Sequence, residues 1–130
     1  MKKFLLMILF VLCVNGVDAQ TYKFKTTDFA YKGVVNNQWT DWTDWQSCDL
    51  LVVISVDRNM ITIYSQDTQE YDIVEYQGEE TDNEGKSMKF LCVNEDGLRC
   101  LIRLRVQNDG AKQLYVDFSD AMWVYNIIDR

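Results

Sequence analysis

The chain has 130 residues, with 20 acidic and 13 basic side chains, no histidine and no proline. This length favours one domain, and the absence of histidine removes the commonest general base and the commonest metal ligand. Hydrophobic residues make up 48% of the sequence and aromatic residues 13%, which excludes a disordered tail.

The first nineteen residues have the pattern of a secretory signal peptide. Two lysines precede an apolar run from residue 4 to residue 14, and Val17 and Ala19 are suited to the −3 and −1 positions of a cleavage site. The apolar run is too short to span a bilayer. We therefore expect a signal peptide over residues 1–19 and a single exported domain over residues 20–130, in the periplasm or outside the cell, with a retained anchor as the alternative.

The charge of the mature chain limits its partners. Cleavage would remove two of the 13 bases and one of the 20 acids, which leaves 11 and 19 and a net charge of −8. Such a chain repels nucleic acids and anionic lipid surfaces, and no second apolar run is long enough to span a membrane. The expected partner is a small molecule or a protein, a second copy of the chain included.

Alternation of apolar and polar residues recurs along the mature chain, and no segment shows a sustained helical stripe. Short connections between the segments favour antiparallel neighbours. The pattern predicts an all-β, antiparallel up-and-down meander of about eight strands that forms a small barrel, with a two-sheet sandwich as the alternative. The predicted strands are Tyr22–Ala30, Leu50–Val56, Met60–Ser65, Gln69–Tyr76, Ser87–Val93, Leu98–Val106, Lys112–Phe118 and Met122–Ile128.

Four turns predict which residues face inward. Residues 94–97 suit a three-residue hairpin loop with Gly97 in the left-handed position, a register that places Phe90 opposite Ile102. The other turns predict the pairs Leu104–Leu114, Ile102–Val116, Phe118–Trp123, Val116–Tyr125, Val56–Ile61 and Ile54–Ile63. The predicted inward residues are Ile54, Ile63, Tyr71, Ile73, Met88, Phe90, Ile102, Leu104, Val116, Phe118, Trp123 and Tyr125.

Three cysteines remain in the mature chain: Cys48, Cys92 and Cys100. An odd number allows at most one intramolecular disulfide. The predicted register places Cys92 opposite Cys100, within the range of a disulfide. We predict a bond between these two, with two reduced core cysteines as the alternative. The spacing of the cysteines does not suit a metal site.

Three tryptophans, Trp39, Trp42 and Trp45, follow one another at a spacing of three, within a tandem Thr-Asp-Trp repeat. One interpretation is that they pack on the protein itself, against a row of arginines. The other is an aromatic platform at the barrel mouth for a sugar ring or an apolar ligand. The residues predicted to bind such a ligand are Trp39, Trp42, Trp45, Trp123 and Tyr125.

The outward positions of the same hairpins carry a mixed apolar and basic face. A solvated barrel exterior has no need of a Leu–Leu pair, so this face is a candidate for contact with a protein partner or a second copy. The predicted interaction face comprises Leu91, Leu101, Arg99, Arg103 and Arg105.

Residues 67–84 hold eight acidic side chains and no basic one. The spacing of an EF-hand fails there, since counting from Glu80 places Leu91 where the last carboxylate ligand belongs. We predict a solvated acidic loop over residues 78–85. No metal or cofactor is expected.

The sequence lacks the parts of familiar active sites. No serine or cysteine has a histidine to activate it, and there is no phosphate-binding glycine loop or nucleophile elbow. No spacing among the 19 mature acids singles out a catalytic pair. We therefore predict no enzyme and no catalytic residue.

Three resemblances bear on these predictions. The Trp39–Trp45 spacing is similar to the thrombospondin type 1 repeat. That family needs six cysteines and the mature chain has three, so we do not assign the chain to it. The predicted meander resembles lipocalin-like barrels in architecture, but Gly33 is followed by Val34 and not by the Gly-x-Trp signature of that family. Such an analogy of architecture implies no ligand.

The third resemblance is to small uncharacterised exported β-proteins of Bacteroides-type gut bacteria. It rests on the Lys-Lys start, the Ala-Gln junction, the tryptophans before a Val/Ile strand, and the segment from Ile61 to Ile73. It implies export and no particular chemistry.

We expect a non-catalytic β-barrel that binds a small apolar or glycan ligand. The alternative is a protein–protein interaction module or homodimer that uses the Trp39–Trp45 segment and the Leu91/Leu101/Arg face.

Overall fold

The computed structural model describes residues 21–130, and its regular structure is β-strand. The predicted signal peptide lies outside the described residues. Within the described part, no helix has the length and apolar character needed to cross a membrane. The strands are β1 (Thr21–Val35), β2 (Gln38–Trp39), β3 (Gln46–Ser47), β4 (Leu51–Ser55), β5 (Met60–Tyr64), β6 (Gln69–Thr81), β7 (Gly85–Asn94), β8 (Arg99–Gln107), β9 (Lys112–Asp117) and β10 (Ala121–Asp129).

Eight of these strands form a closed antiparallel barrel. Strand β1 pairs with β4, each strand from β4 to β10 pairs with the next, and β10 pairs with β1 to complete the circle. The short strands β2 and β3 lie outside this circle and pair with β1. The predicted all-β up-and-down barrel is therefore confirmed, and the sandwich alternative is wrong.

Alternate side chains fill the centre of the barrel. Along β8, Ile102 and Leu104 are buried, whereas Arg103 between them is on the outer face. An eight-stranded barrel is just wide enough for such side chains to fill its middle. The twelve residues predicted to face inward all belong to this core or pack against it. The largest fully buried side chains are those of Phe90, Ile61, Ile63, Ile102, Leu114, Val52, Val56, Val116, Thr26 and Cys92.

Within the barrel circle, β1 pairs with two strands, β4 and β10. Its beginning, Thr21 to Lys25, pairs with β4, while its stretch from Phe24 to Gly33 pairs with β10. The register against β10 shifts between Thr26 and Asp28, which marks a β-bulge. Because a bulge bends a strand and increases its twist, β1 leaves β4 and continues alongside β10.

The hairpin between β7 and β8 has the predicted register. The Asn94 N–H donates to the Leu98 carbonyl oxygen at 2.9 Å, and Gly97 takes the left-handed conformation with φ 83°. Phe90 lies opposite Ile102. The pairs Leu104–Leu114 and Ile102–Val116 between β8 and β9 are also confirmed.

Two other hairpins differ from their predicted register by two residues. Val116 lies opposite Trp123 and Ile54 lies opposite Ile61, so the predicted pairs Phe118–Trp123, Val116–Tyr125, Val56–Ile61 and Ile54–Ile63 are wrong. Both turns keep their predicted length but lie one residue earlier in the chain. Phe118 and Ala121 pair across the β9–β10 turn, and in the β4–β5 turn the Asn59 N–H donates to the Val56 carbonyl oxygen, with Asn59 left-handed at φ 50°. Since side chains alternate with a period of two, a two-residue shift leaves the inward faces unchanged.

The predicted acidic loop is also wrong, because β6 and β7 continue into it. Strand β6 runs to Thr81 and β7 begins at Gly85, which leaves a turn of three residues. Its first residue, Asp82, accepts hydrogen bonds from the N–H groups of Glu84 and Gly85 at 2.8 and 3.0 Å. The Asp82 carboxylate also binds Arg105, which neutralises one of the acids at the turn.

Candidate functional site

One end of the barrel contains a pocket of about 330 Å³. It lies where β1, β7 and β9 begin and where β4, β8 and β10 end. A volume of this size is at the lower bound of typical small-molecule pockets. The lining residues are Tyr22, Phe24, Ile54, Glu79, Lys86, Met88, Phe90, Leu104, Val106, Lys112 and Asp129.

The inner wall of the pocket is apolar. Phe24, Ile54, Phe90 and Leu104 are core residues that also contact this space. The side chains deeper in the barrel are fully buried, so the pocket ends at a packed layer. An apolar part of a ligand would therefore enter only the outer part of the barrel.

Charged side chains form the rim of the pocket at the mouth of the barrel. Lys86 precedes the inward Met88 by two residues, and Lys112 precedes the inward Leu114 by two, so both lysines continue inward-facing rows. Lys86 Nζ lies 3.7 Å from Glu79 Oε1, and Lys112 Nζ lies 3.4 Å from Asp129 Oδ1. Partly exposed ion pairs of this length contribute little to stability.

Sequence reasoning missed this rim, although a usable signal was present. The predicted β7–β8 register, which pairs Phe90 with Ile102, also places Met88 opposite Leu104 and Lys86 opposite Val106. The next hairpin places Val106 opposite Lys112. Extending the inward rows by two residues identifies both lysines.

At the opposite end of the barrel, which we call the closed end, aromatic side chains cover the core. They also line part of a surface recess of about 480 Å³, which Tyr71, Phe118 and Trp123 border. The Phe118 ring stacks on Trp123 with centroids 5.5 Å apart and lies 6.5 Å from the Tyr71 ring. The Tyr71 hydroxyl donates to Gln69 Oε1 at 2.5 Å, and Gln69 Nε2 donates to the Tyr125 hydroxyl oxygen at 3.4 Å. Burial raises the pKa of Tyr71 and of Tyr125, so both hydroxyls stay protonated.

The predicted ligand-binding set is divided between this closed end and the outer surface. Trp123 and Tyr125 belong to the closed end, where Tyr125 is buried. The other three tryptophans lie on a hairpin outside the barrel circle. The structure therefore brings Trp123 and Tyr125 together and places Trp39, Trp42 and Trp45 elsewhere.

The Thr-Asp-Trp repeat fastens this hairpin to β1. After a turn at Asn36 and Asn37, both left-handed with φ 52° and 64°, the chain returns along β1. The Thr40 N–H donates to the Gly33 carbonyl oxygen at 2.8 Å, and the Gly33 N–H donates to Thr40 Oγ1 at 3.1 Å. One clamp of the repeat is thus a reciprocal pair of hydrogen bonds.

The second clamp repeats the first one, two residues earlier along β1. The Thr43 N–H donates to the Tyr31 carbonyl oxygen at 2.9 Å, and the Tyr31 N–H donates to Thr43 Oγ1 at 3.0 Å. From Thr40 to Thr43 the returning arm advances three residues, while from Gly33 to Tyr31 its partner β1 advances two. Each repeat therefore contains one residue more than the matching length of β1, as in a β-bulge. The spacing of three is therefore explained by docking on a β-strand.

The tryptophans of this hairpin remain accessible. Trp39, Trp42 and Trp45 are 43%, 39% and 49% exposed. Lys32 Nζ lies 4.8 Å from the ring centre of Trp42 and 5.6 Å from that of Trp39. Trp42 also meets the Tyr115 ring edge-on, with centroids 6.4 Å apart. The hairpin thus presents indole surface beside a fixed cation.

Tyr115 lies between Trp42 and Arg103, one of the arginines of the predicted interaction face. The Arg103 guanidinium lies 4.2 Å from the centre of the Tyr115 ring, and Arg103 Nε donates to Asp117 Oδ2 at 2.6 Å. The predicted packing of the tryptophans on the arginine row is therefore indirect.

The rest of the predicted interaction face is largely neutralised. Leu91 lies opposite Leu101 and both are half-buried, while Arg99 is exposed. Arg105 binds Asp82, and Lys89 Nζ lies 2.8 Å from Glu80 Oε1.

The structure does not contain the predicted Cys92–Cys100 disulfide. The two residues lie opposite each other as expected, but Cys48, Cys92 and Cys100 are all free thiols. Burial raises the pKa of Cys100 to about 11 and raises that of Cys92 as well, so both stay protonated and unreactive. They pack as small apolar residues of the core.

Within residues 21–130, no cluster of three or more metal-ligating side chains is present. No protein-family model matches the chain, and no curated protein matches it. Among solved structures, the chain is similar to HpuA from Kingella denitrificans, in its crystal structure in complex with human haemoglobin, with 9% sequence identity and a TM-score of 0.37. The match covers 89% of this chain but 45% of that chain, so this chain spans less than half the length of HpuA. A likeness of this degree carries neither ligand nor partner to the present chain.

Proposed function

We propose that the protein is an exported, non-catalytic β-barrel that binds a small apolar molecule in the pocket at its open end. The observation that carries this proposal is the pocket of about 330 Å³ lined by Phe24, Ile54, Phe90 and Leu104. A preformed, mainly apolar concavity with a few polar groups at its edge is the usual form of a small-molecule site.

The chemistry of the lining favours an apolar ligand over a glycan. A sugar ring needs hydrogen-bond partners for its hydroxyl groups, because polar groups buried without partners are costly. The inner wall of the pocket offers aliphatic and aromatic carbon instead. Its polar groups are the Tyr22 hydroxyl and the four charged side chains of the rim, Glu79, Lys86, Lys112 and Asp129.

The export predicted from the first nineteen residues supports the same proposal. The Lys-Lys start, the apolar run and the cleavage pattern of residues 1–19 predict translocation. A binding protein outside the cytoplasm meets small apolar molecules in water, where a shielded pocket lowers their free energy.

The test compares a variant that fills the pocket with one that adds the same side chain elsewhere. The Met88→Trp variant places an indole in the pocket, whereas Leu98→Trp places it on an exposed turn at the opposite end. We expect the fluorescent probe 1-anilinonaphthalene-8-sulfonate to bind the wild-type protein and Leu98→Trp alike, and Met88→Trp at least tenfold more weakly. Equal binding to all three proteins would overturn the proposal.

A second function is favoured by the Trp hairpin, defined here as residues 31–45. Reciprocal threonine hydrogen bonds hold its backbone, and its exposed indoles adjoin Tyr115 and Arg103. Tryptophan, tyrosine and arginine are the residue types enriched at the centres of protein interfaces. We propose as the alternative that this hairpin and the Leu91/Leu101/Arg face contact a protein partner or a second copy.

Native mass spectrometry of the exported protein tests the homodimer form of this alternative. The expected result is a dimer that Trp42→Ala weakens at least tenfold and Leu98→Ala leaves unchanged. Trp42 lies in the hairpin, whereas Leu98 is exposed in another turn and serves as the control. A strictly monomeric wild-type protein at micromolar concentrations would overturn the homodimer.

A further inference from the structure

We propose that the ligand of the open-end pocket is a straight-chain carboxylate of about eight to ten carbons, with its carboxylate bound between Lys86 and Lys112. This inference rests on the proposed function and names the chemical class of its ligand. Three observations support it: the volume of the pocket, the positions of Lys86 and Lys112 on either side of Val106, and the unequal exposure of Lys112 and Asp129.

The volume limits the size of the ligand. A water molecule occupies about 30 Å³ of liquid, so 330 Å³ accommodates about eleven groups of that size. The fully buried layer of Phe90 and Ile102 blocks deeper entry. An acyl chain of eight to ten carbons fills such a space, while the end of a much longer chain remains in water.

The two lysines lie on either side of one pocket residue. Lys86 on β7 lies opposite Val106 on β8, and Val106 lies opposite Lys112 on β9. All three continue inward-facing rows and line the pocket. Since neighbouring strands are about 4.8 Å apart, the two lysine backbones are about 10 Å apart. Two side chains of this length can converge on one anion above Val106.

The exposure of the ion pairs indicates which partner a ligand would replace. The Lys112 side chain is 28% exposed, but that of its partner Asp129 is 74% exposed. Asp129 regains nearly full hydration when it leaves the pair, whereas the Lys112 ammonium remains near the apolar wall and needs an anion. In the 3.7 Å pair of Lys86 with Glu79 the lysine is the more exposed member, at 52% against 38%, so here the length of the pair, and not its exposure, makes it easy to exchange.

The same arrangement disfavours other head groups. An ammonium would have to displace Lys112 from Asp129, although Lys112 is the less exposed member of that pair and would lose its anion beside the apolar wall. A neutral hydroxyl would leave both ion pairs in place and gain a hydrogen bond without the attraction between two full charges. A carboxylate accepts charge-assisted hydrogen bonds, which are roughly twice as strong as neutral ones.

Isothermal titration calorimetry with decanoate, 1-decanol and decylamine tests the head group on the exported protein. We expect decanoate to bind at least tenfold more tightly than either of the other two. The Lys112→Met variant should weaken decanoate about tenfold and leave 1-decanol unchanged, because methionine keeps the apolar stem and removes the charge. Lys86→Met should act in the same direction.

The matched control is Lys89→Met on the same strand as Lys86. Lys89 is on the outer face, where it pairs with Glu80, so its loss should leave decanoate binding unchanged. Unchanged binding of 1-decanol by Lys112→Met shows that the variant is folded. A chain-length series should improve from hexanoate to decanoate and show no further gain with hexadecanoate.

The failure of this inference differs from that of the proposed function. Equal binding of all three head groups, or tighter binding of decylamine, would overturn the carboxylate while leaving an apolar pocket. If none of the three binds and the Met88→Trp variant behaves as wild type toward the fluorescent probe, the proposed function fails too.

Discussion

The two ends of this barrel are built by the same strands but differ in their inward side chains. Along β10, the inward row reads Trp123, Tyr125, Ile127 and Asp129 from the closed end to the open end, passing from aromatic to aliphatic to charged. Strand β9 runs the other way, from Lys112 at the open end through two aliphatic residues to Phe118. Free space is present at both ends, but core residues such as Ile54 and Leu104 line it at the open end. At the closed end, polar residues such as Ser65 and Asp67 line it together with Phe118 and Trp123.

This contrast gives each end a different role. The closed end adds stacked rings and a hydrogen-bonded Tyr71–Gln69–Tyr125 group to the core. The open end leaves apolar wall in contact with solvent and places charge above it. Truncation of an inward side chain is therefore expected to cost more stability at the closed end than at the open end, whereas ligand binding depends on the open end.

The largest effect is expected at the open end from Gly85→Ala. A Cβ atom on Gly85 would lie 2.3 Å from the Val106 carbonyl oxygen and 2.7 Å from the Gln107 Cα, both of them backbone atoms. Strand β8 would have to move, at a cost of about 2–4 kcal/mol. Chemical denaturation should show this loss.

The control for this prediction is Gly78→Ala. Gly78 has φ 95° and nothing within 4 Å of an added Cβ, so the cost should be about 1 kcal/mol, from backbone conformation alone. An equal loss in both variants would contradict the close approach of β7 and β8.

Truncation of side chains should separate the two ends directly. Phe118→Ala removes a ring that packs on Trp123 and Tyr71, and we expect it to cost about 2–3 kcal/mol. Met88→Ala should cost about 1 kcal/mol, because Met88 borders space that is already empty. Denaturation curves measured side by side decide the matter, and a costlier Met88→Ala would reverse the assigned roles of the two ends.

A smaller, local effect is expected at the Trp hairpin. Thr43→Val removes the acceptor of the Tyr31 N–H, which is near the surface, so water can replace it at a cost of about 1 kcal/mol or less. Hydrogen exchange of the Tyr31 amide should become faster, while exchange of core amides such as that of Ile102 stays slow. Slower or unchanged exchange at Tyr31 would contradict the clamp.

The smallest effect concerns acid pH and the turn beside the open end. The Arg105 guanidinium, together with the N–H groups of Glu84 and Gly85, lowers the pKa of Asp82 from 3.8 to about 2. Because the folded pKa is below the ordinary value, this contribution to stability is complete above pH 4 and is lost as the pH falls toward 2.

An NMR titration of the Asp82 carboxyl carbon measures this pKa. In Arg105→Gln it should rise toward the ordinary value, while in Arg99→Gln, which changes another arginine of β8, it should stay near 2. A titration of Asp82 near pH 4 in the wild-type protein would contradict the pairing.

Much of the fold could be predicted from the sequence, because period-two alternation and turn residues act locally. The turn ending at Gly97 fixed the β7–β8 register, including the pair Phe90–Ile102. The shifts at the β4–β5 and β9–β10 turns were not predictable, because Asp, Asn and Ser suit more than one position of a turn. The inward faces survived because both shifts were even.

The candidate site was harder to predict than the fold. Its wall was among the predicted core residues, but whether inward rows leave space depends on side-chain volumes across the whole circle. The rim lysines were ambiguous, because a charged residue at a strand end faces water in most sheets. The threonine clamps depend on the edge of β1 that β4 leaves unpaired beyond Lys25, which the sequence does not show locally.

The pairing of β1 with β10 joins the two extremes of the described chain. Asp28 and Asn126, which contact each other across this seam, are 98 positions apart. Contacts between such distant positions slow folding, since a long loop must close before they reward it. A nascent chain lacking β10 leaves β1 with an unpaired edge, so the circle closes only after β10 has been synthesised. The barrel therefore cannot form while the chain is still growing through β4 to β9, and β1 and β9 each stay without their final partner until then.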